Sequence, residues 1–464
     1  MKNNILKLGY LLLGLFSILI LYLSYLQVVK GPVLAANPYN RRFQEQEARI
    51  RRGTVYDSRG IELARTELSD GKGRRVYPLG ADTVHVVGYI SDRYGRTGIE
   101  SAYDRYLLGM EGPDRVRNLV NRLAGREQAG GDVILTIDSY LQSLAADLLG
   151  ERRGAAVLLD VRTGAVLVMA SSPGYDPNRL EELWPHLVQD GAAPLLNRAV
   201  QGAYPPGSAF KVVTAAGALA KNASLAGAKF SCPGYLMVDG YRLDDLAAHG
   251  EVDLVKALAV SCNTAFAQMG LNLGADDFYR TVRAFGLDQD PAPGIPVRPG
   301  TMAPVARLTP AELASSAIGQ GEVLVSPLHM ALVAAGIANG GVIMHPYLVE
   351  TVRDSMGRAV YKAAHKIWLI ATTPEIAGTI KKGMLEAVRS GTASAAEVSG
   401  LQVAGKTGSA QNPGGQTHAW FIGFAPAEAP RLAVAVVLEN AGSGGRVAAP
   451  VAGRLLAAAA ARGY

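Results

Sequence analysis

At 464 residues the chain is long enough for two or three domains, and 49% hydrophobic against 19% charged residues excludes wholesale disorder. The net charge of +6 is mild for this length, and with no Lys/Arg block or basic-aromatic platform it excludes a nucleic-acid binder. Two cysteines, Cys232 and Cys262, and seven scattered histidines without a C-x-x-C pair imply neither a disulfide framework nor a metal or other cofactor.

Residues 8–29 are almost wholly apolar, with Lys2 and Lys7 before them and Lys30 after. About 20 such residues span a hydrocarbon core as one helix. A cleaved signal peptide is the competing reading, since residues 33–35 offer a small-x-small site, but its apolar region would run only about 7–15 residues. An uncleaved anchor is therefore expected over 8–29. Lys2 and Lys7 hold residues 1–7 in the cytoplasm, so the rest of this single-pass membrane protein lies outside the cell. Residues 30–130, rich in Arg, Gly and Tyr, lack long helical periodicity and read as a small β-rich membrane-proximal domain. Within it, 51–60 reads as a strand entering a tight turn, with Gly60 free to take positive φ.

The texture changes near residue 130, where a domain spanning 131–464 begins. Residues 132–137 alternate like a strand, Asp138 is placed to cap a helix, and Leu141, Leu144 and Leu148 form its apolar stripe before Gly150. A hairpin follows over 154–160 and 165–170, turning at Arg162-Thr163-Gly164. From about 180 to 395 the pattern is mainly helical. Three more strands are expected at 401–411, 417–425 and 431–439, then a helix from Pro450. Strands at both ends of a domain imply a five-stranded, mostly antiparallel sheet closed by bringing those ends together, an α+β architecture with a mainly helical subdomain between. No internal repeat supports a solenoid.

In the helical middle, Tyr204-Pro205-Pro206-Gly207 stops the preceding chain, and Ser208 should open a helix with Lys211 one turn on. A serine hydroxyl becomes a nucleophile when a nearby base takes its proton, and the amides of a first helical turn favour negative charge beside it. Alone, S-x-x-K is common, and its plain reading is a capping serine and a solvated lysine. Two further motifs follow in order: Ser261-Cys262-Asn263, whose plain reading alone is a helix cap, and Lys406-Thr407-Gly408-Ser409 on an expected strand. A lysine of ordinary pKa about 10.4 needs about 4.6 kcal/mol to be neutral at pH 7, so Lys211 must be buried and crowded by a second cation, Lys406. A bridge at Cys262 would tether the Ser261 loop, so the two thiols are expected to be separate.

The ordered trio S-x-x-K, S-x-N, K-T-G resembles the pattern of penicillin-binding proteins and class A β-lactamases. Arg52-Gly53-Thr54-Val55-Tyr56-Asp57 with Gly60, and Gly98-Ile99-Glu100 with Tyr103-Asp104 and Leu107-Leu108-Gly109, are similar to the pedestal segments of class B penicillin-binding proteins. Gly319-Gln320-Gly321, Ser326-Pro327-Leu328-His329-Met330-Ala331 and His418-Ala419-Trp420-Phe421-Ile422-Gly423-Phe424-Ala425-Pro426 resemble that family's transpeptidase runs.

The resemblance implies a penicillin-binding, β-lactamase-like fold and a D,D-transpeptidase that cross-links peptidoglycan stem peptides and is acylated by β-lactams. In it Ser208 is the nucleophile and Lys211 the base. Ser261 relays a proton, and Asn263 bonds Lys211 and a substrate amide. Lys406 supplies positive potential, while Thr407, Gly408 and Ser409 line the substrate edge; the N–H groups of Ser208 and Ser409 form an oxyanion hole. It also implies a SEDS-type membrane glycan polymerase as a partner. A D,D-carboxypeptidase and a catalytically silent penicillin-binding scaffold or sensor are the alternatives; a β-lactamase is disfavoured because no E-x-x-L-N segment lies between Asn263 and Lys406. With no G-x-S-x-G elbow and Lys211 in the base role, His329 and His418 are expected not to be catalytic. Tyr175, Trp420 and Phe421 are expected in the core.

Overall fold

The structure is a computed structural model and describes residues 2–31, 47, 50–69, 72–412 and 414–464. The tripeptide at 33–35 and most of the first part of the expected 30–130 domain lie outside the described residues. Helix α1 (Lys2–Tyr25) runs into a π-helical turn, Leu26–Lys30. Its residues Leu6–Tyr25 are fully exposed, and among the described residues they form the one helix long and apolar enough to cross a membrane.

Strand β1 (Val55–Tyr56) turns through Asp57, whose carboxylate accepts from the N–H groups of Arg59 and Ile61, and Gly60 takes φ +85°, which lets the chain reverse into β2 (Glu62–Ser69) and β3 (Lys72–Val76). The expected β-rich domain is more helical than its sequence suggested. Short helices at Gly98–Ala102 and Asp104–Leu107 precede α2 (Gly112–Leu123), which starts with Pro113, a residue suited to a first helical turn. The two pedestal-like segments meet here: Arg52 donates to Glu100 at 2.8 Å and Asp104 at 2.6 Å, and Arg75 donates to the fully buried Glu100 at 2.6 Å.

Next come β4 (Asp132–Leu135) and α3 (Ser139–Leu149), capped by Asp138 and ended by Gly150 at φ +58°. The hairpin of β5 (Gly154–Asp160) and β6 (Val166–Ser172) and helix α4 (Lys211–Lys221) follow. The middle region, expected to be mainly helical, also holds short strands. These include β7 (Phe230–Cys232), β8 (Tyr235–Val238), β9 (Tyr241–Asp244) and β10 (Gly250–Val252) before α5 (Asn263–Leu273), and, beyond α6 (Pro327–Ala338), β11 (Val349–Arg353) and β12 (Ala359–Lys362). The chain closes with α7 (Pro374–Arg389), β13 (Ala404–Ala410), β14 (His418–Ala425), β15 (Leu432–Leu438) and α8 (Gly444–Ala461). Helix α8 begins six residues before Pro450, which lies inside it; burial of Ala448, Ala449, Ala452 and Leu455 against the sheet outweighs the lost N–H.

The central sheet has the order β6-β5-β15-β14-β13, every pair antiparallel, so strands from the two ends of the domain are neighbours as expected. Side-chain alternation splits its faces between two cores. Ala433, Ala435 and Val437 join the larger core with α6; Leu432, Val434, Val436 and Leu438 join the smaller one with α3 and α8. Helix α6 is buried over all twelve residues, which suits a helix that is apolar all round. A second, six-stranded sheet, β12-β11-β4-β1-β2-β3, joins strands from the first part of the chain to strands from far along it.

Candidate active site

Ser208 lies in a 3₁₀ turn, Gly207–Phe210, that leads into α4 at Lys211. Lys211 caps that turn, its backbone N–H donating to Ser208 O, so the two residues are one turn apart. The turn is pinned from several sides. The Gly207 N–H donates to Gly319 O at 2.8 Å, the Trp420 indole donates to Pro205 O at 2.9 Å, and Tyr204 pairs through its backbone with Val325. The Tyr204 hydroxyl donates to Glu439 at 2.7 Å, and Glu439 also accepts from the buried Arg198 at 2.7 Å. Gly408 of β13 lies against this turn. A Cβ at Gly408 would come 2.6 Å from Pro206 O and 3.1 Å from Ala209 N, so only glycine lets the strand approach.

Ser261 sits at the left-handed φ of +62° while only 3% exposed, a conformation a serine holds when its surroundings fix it. Its carbonyl accepts from the Lys211 ammonium nitrogen at 2.6 Å, and its hydroxyl lies 3.3 Å from Lys211 Nζ and 2.9 Å from Lys406 Nζ. Asn263, the first residue of α5, accepts from Lys211 through Oδ1 at 2.7 Å and donates through Nδ2 to Asp244 O at 2.9 Å. Lys406 also donates to Thr407 O at 2.9 Å.

Both lysines are fully buried. Burial pushes the Lys211 amine down to about 7, against a smaller pull upward from Asp245. Burial, then repulsion from Lys211, holds Lys406 well below the ordinary lysine range. Two amines sharing one buried serine hydroxyl therefore do not both stay charged at neutral pH. The arrangement offers a neutral amine beside Ser208 and a serine hydroxyl that connects it to a second proton carrier.

The structure thus joins Lys211, Ser261, Asn263 and Lys406 in one hydrogen-bonded cluster, with Ser208 in the turn that leads into Lys211 and Gly408 against that turn. Thr407 and Ser409 lie on the same strand but alternate off the face that carries Lys406. The Thr407 hydroxyl bonds that of Thr392 at 2.9 Å, and Ser409 Oγ accepts from Gly444 N–H at 3.3 Å. Strand β13 is an edge, and among the described residues nothing pairs with its outer side. His329 is buried between Ser326 and Gln289 O, and His418 accepts from Asn440 N–H, so both serve packing and loops. Tyr175, Trp420 and Phe421 are buried as expected. Sequence reading missed Asp244, Thr392, Arg198 and Glu439, none of which lies in a motif, and gave Tyr204 no role beyond opening the nucleophile stretch. It expected two unbridged thiols and no cysteine–histidine cluster. They are unbridged, but Cys232 and Cys262 both donate to Asp245, and Cys232 lies 3.4 Å from His249.

Residues 154–457 match the penicillin binding protein transpeptidase domain, and 52–133 match the penicillin binding protein A dimerisation domain. The chain belongs to the penicillin-binding protein transpeptidase family. Among its relatives, the peptidoglycan D,D-transpeptidase PbpA of Mycolicibacterium smegmatis is 35% identical over 99% of each chain. The peptidoglycan D,D-transpeptidase MrdA of Acinetobacter baumannii is 30% identical over 81% of this chain and 64% of its own. The ceftriaxone acyl-enzyme complex of penicillin-binding protein A from M. tuberculosis superimposes with a TM-score of 0.85 at 35% identity, covering 89% of this chain and 99% of that one. As a penicillin-binding protein the chain is a serine-type acyltransferase of the α+β transpeptidase fold.

Proposed function

We propose that this penicillin-binding protein is a membrane-anchored peptidoglycan D,D-transpeptidase that acts through a Ser208 acyl-enzyme. The observation that carries the reading is the Ser261 hydroxyl, 2.9 Å from one buried amine and 3.3 Å from the other, with the second amine one 3₁₀ turn from Ser208. Neutral Lys211 takes the Ser208 proton as Oγ attacks the carbonyl of the penultimate D-Ala. Backbone N–H groups of Ser208 and Ser409 stabilise the resulting oxyanion, a contribution of about 3–4 kcal/mol per donor in serine enzymes. The proton then passes from Lys211 through Ser261 to the amine of the terminal D-Ala as the C–N bond breaks. An amine from a second stem peptide attacks the ester, its proton returns to Ser208 by the reverse route, and the cross-link leaves.

Lys406 supports this cycle by holding the Ser261 hydroxyl and by offering positive potential to the substrate carboxylate. The stem peptide lies along the free edge of β13, where Gly408 admits it closely and Thr407 and Ser409 line its path. Residues 8–29 anchor the protein with 1–7 in the cytoplasm and the 131–464 catalytic domain outside, carried on the 30–130 region; Lys2 and Lys7 favour that orientation. A SEDS-type glycan polymerase in the same membrane is the partner this placement suits.

The test is covalent labelling by a fluorescent penicillin, wild type against Ser208→Ala, followed by product analysis on stem pentapeptides with an acceptor amine. Labelling lost in the variant and dimeric cross-linked product are expected. Label independent of Ser208 would overturn the mechanism, and hydrolysed tetrapeptide alone would make the protein a carboxypeptidase.

A further inference from the structure

Behind the Ser261 turn, Cys232, Asp245, His249 and Cys262 each offer one ligand atom, and the four atoms lie within 4.8 Å of one another. Cys232 ends β7, Asp245 follows β9, His249 precedes β10, and Cys262 is the residue before α5. We propose that these four side chains form a closed tetrahedral zinc site that staples the β7–β10 segment to the Ser261-Cys262-Asn263 turn.

The spacing fits the metal. With Zn–S near 2.3 Å and Zn–N or Zn–O near 2.0–2.1 Å, the edges of a tetrahedron are about 3.3–3.8 Å long. Four of the six separations are 3.1 Å for Cys262 Sγ to Asp245 Oδ2, 3.3 Å for Cys232 Sγ to the same oxygen, 3.4 Å for Cys232 Sγ to His249 Nδ1, and 3.8 Å for His249 Nδ1 to Asp245 Oδ2, and the two from Cys262 to Cys232 and His249 stay within 4.8 Å. Each of the first four differs from a tetrahedral edge by a few tenths of an ångström, and a small inward shift of Cys262 would close the rest. The donor set also selects the ion: two thiolates and an imidazole with one carboxylate suit zinc and disfavour magnesium or calcium, which take oxygen ligands. Both cysteines are buried, and the Asp245 side chain is fully so.

Supporting contacts hold the ligands as metal sites require. Asp245 accepts from Thr264 N–H at 2.9 Å and from Leu246 N–H at 2.8 Å, and Cys262 Sγ accepts from Ala265 N–H at 3.4 Å. None of the residues assigned to acyl transfer is a ligand, so the site is structural, and it stands or falls independently of the Ser208 reaction. Its ligands nonetheless flank that chemistry. Cys262 lies between Ser261 and Asn263, and Asp244, beside Asp245, orients the Asn263 amide. A bound ion would hold Ser261 in its left-handed conformation and keep Asn263 aimed at Lys211.

The experiment uses the full chain purified in detergent under reducing conditions, with metal content measured by mass spectrometry after dialysis against a zinc buffer. One zinc per chain is expected in wild type and in Ser208→Ala. In His249→Ala, affinity measured by chelator competition should fall at least about tenfold. Replacing zinc with Co²⁺ should give the thiolate charge-transfer absorption of a tetrahedral site, weakened in Cys232→Ser. Wild-type protein that keeps no zinc and gives no such absorption with Co²⁺ overturns the proposal. So does a Cys232–Cys262 disulfide in the protein as isolated from its membrane without reductant. Because both wild-type readings need no variant to fold, the proposal stays refutable even if Cys232→Ser fails to fold.

Discussion

The two glycines around Gln320 allow a controlled perturbation of the nucleophile turn. Gly319 and Gly321 have nearly the same left-handed φ, +75° and +73°, so alanine costs about 1–2 kcal/mol of backbone strain at either. Their surroundings differ. At Gly321 the nearest atom to an added Cβ is Ser316 Oγ at 3.9 Å, so the loss should stop at the strain. At Gly319 the Cβ would lie 2.1 Å from Gly207 O and 2.7 Å from Phe210 Cβ. The first contact is with backbone, so no rotamer relieves it. The segments must part by about 1 Å, which breaks the 2.8 Å bond from Gly207 N–H to Gly319 O, worth about 1 kcal/mol, and adds overpacking of about 1–3 kcal/mol. Gly319→Ala should therefore lose about 3–6 kcal/mol in urea unfolding, against about 1–2 kcal/mol for Gly321→Ala. Because Gly207 adjoins Ser208, a shift of that size should also slow acylation by a fluorescent penicillin by about 100-fold in Gly319→Ala only. Equal stabilities and equal acylation rates for the two variants would refute the idea that Gly319 positions the turn.

The acylation rate should rise with pH through about 7 and then level, because burial holds the Lys211 amine there and only its neutral form takes a proton. A profile that is flat between pH 6 and 9 would count against Lys211 as the base. Lys211→Arg, whose guanidinium stays protonated at every working pH, should remove that limb and abolish labelling. Behind the turn, Glu439→Ala strands the buried Arg198 charge and should cost about 3–5 kcal/mol in urea unfolding, whereas Tyr204→Phe, losing one hydrogen bond to a charged group, should cost about 1.5–3 kcal/mol; similar losses would mean that Glu439 matters mainly as the acceptor for Tyr204.

The ends of the catalytic region were readable because their strands are long, almost continuously apolar runs punctuated by glycine and proline; β5, β14 and β15 fall within a residue or so of expectation. The middle was not: β8 and β9 form a local hairpin through Asp239-Gly240 that a helical reading passes over, and strands of three residues such as β7 and β10 pair only across that hairpin. Pairing of β4 with β11, more than 200 residues apart in sequence, leaves no local trace. The motif residues were readable as types, and the glycine of K-T-G even as a close approach. Ser261 at φ +62° was not, because serine carries no preference for that region. Cys232, Asp245, His249 and Cys262 went unread together because a hairpin and a turn separate them, hiding the short regular spacing by which metal sites are usually seen.

The six-stranded sheet threads both matched regions of the chain, since β1, β2 and β3 from the part matched to the dimerisation domain hydrogen-bond through β4 to β11 and β12. Backbone pairing across that seam leaves no hinge between the support and the cleft. A torque delivered at the base would reach Ser208 as rotation of a stiff strut, so anything gripping the lower part would steer the direction in which the cleft faces.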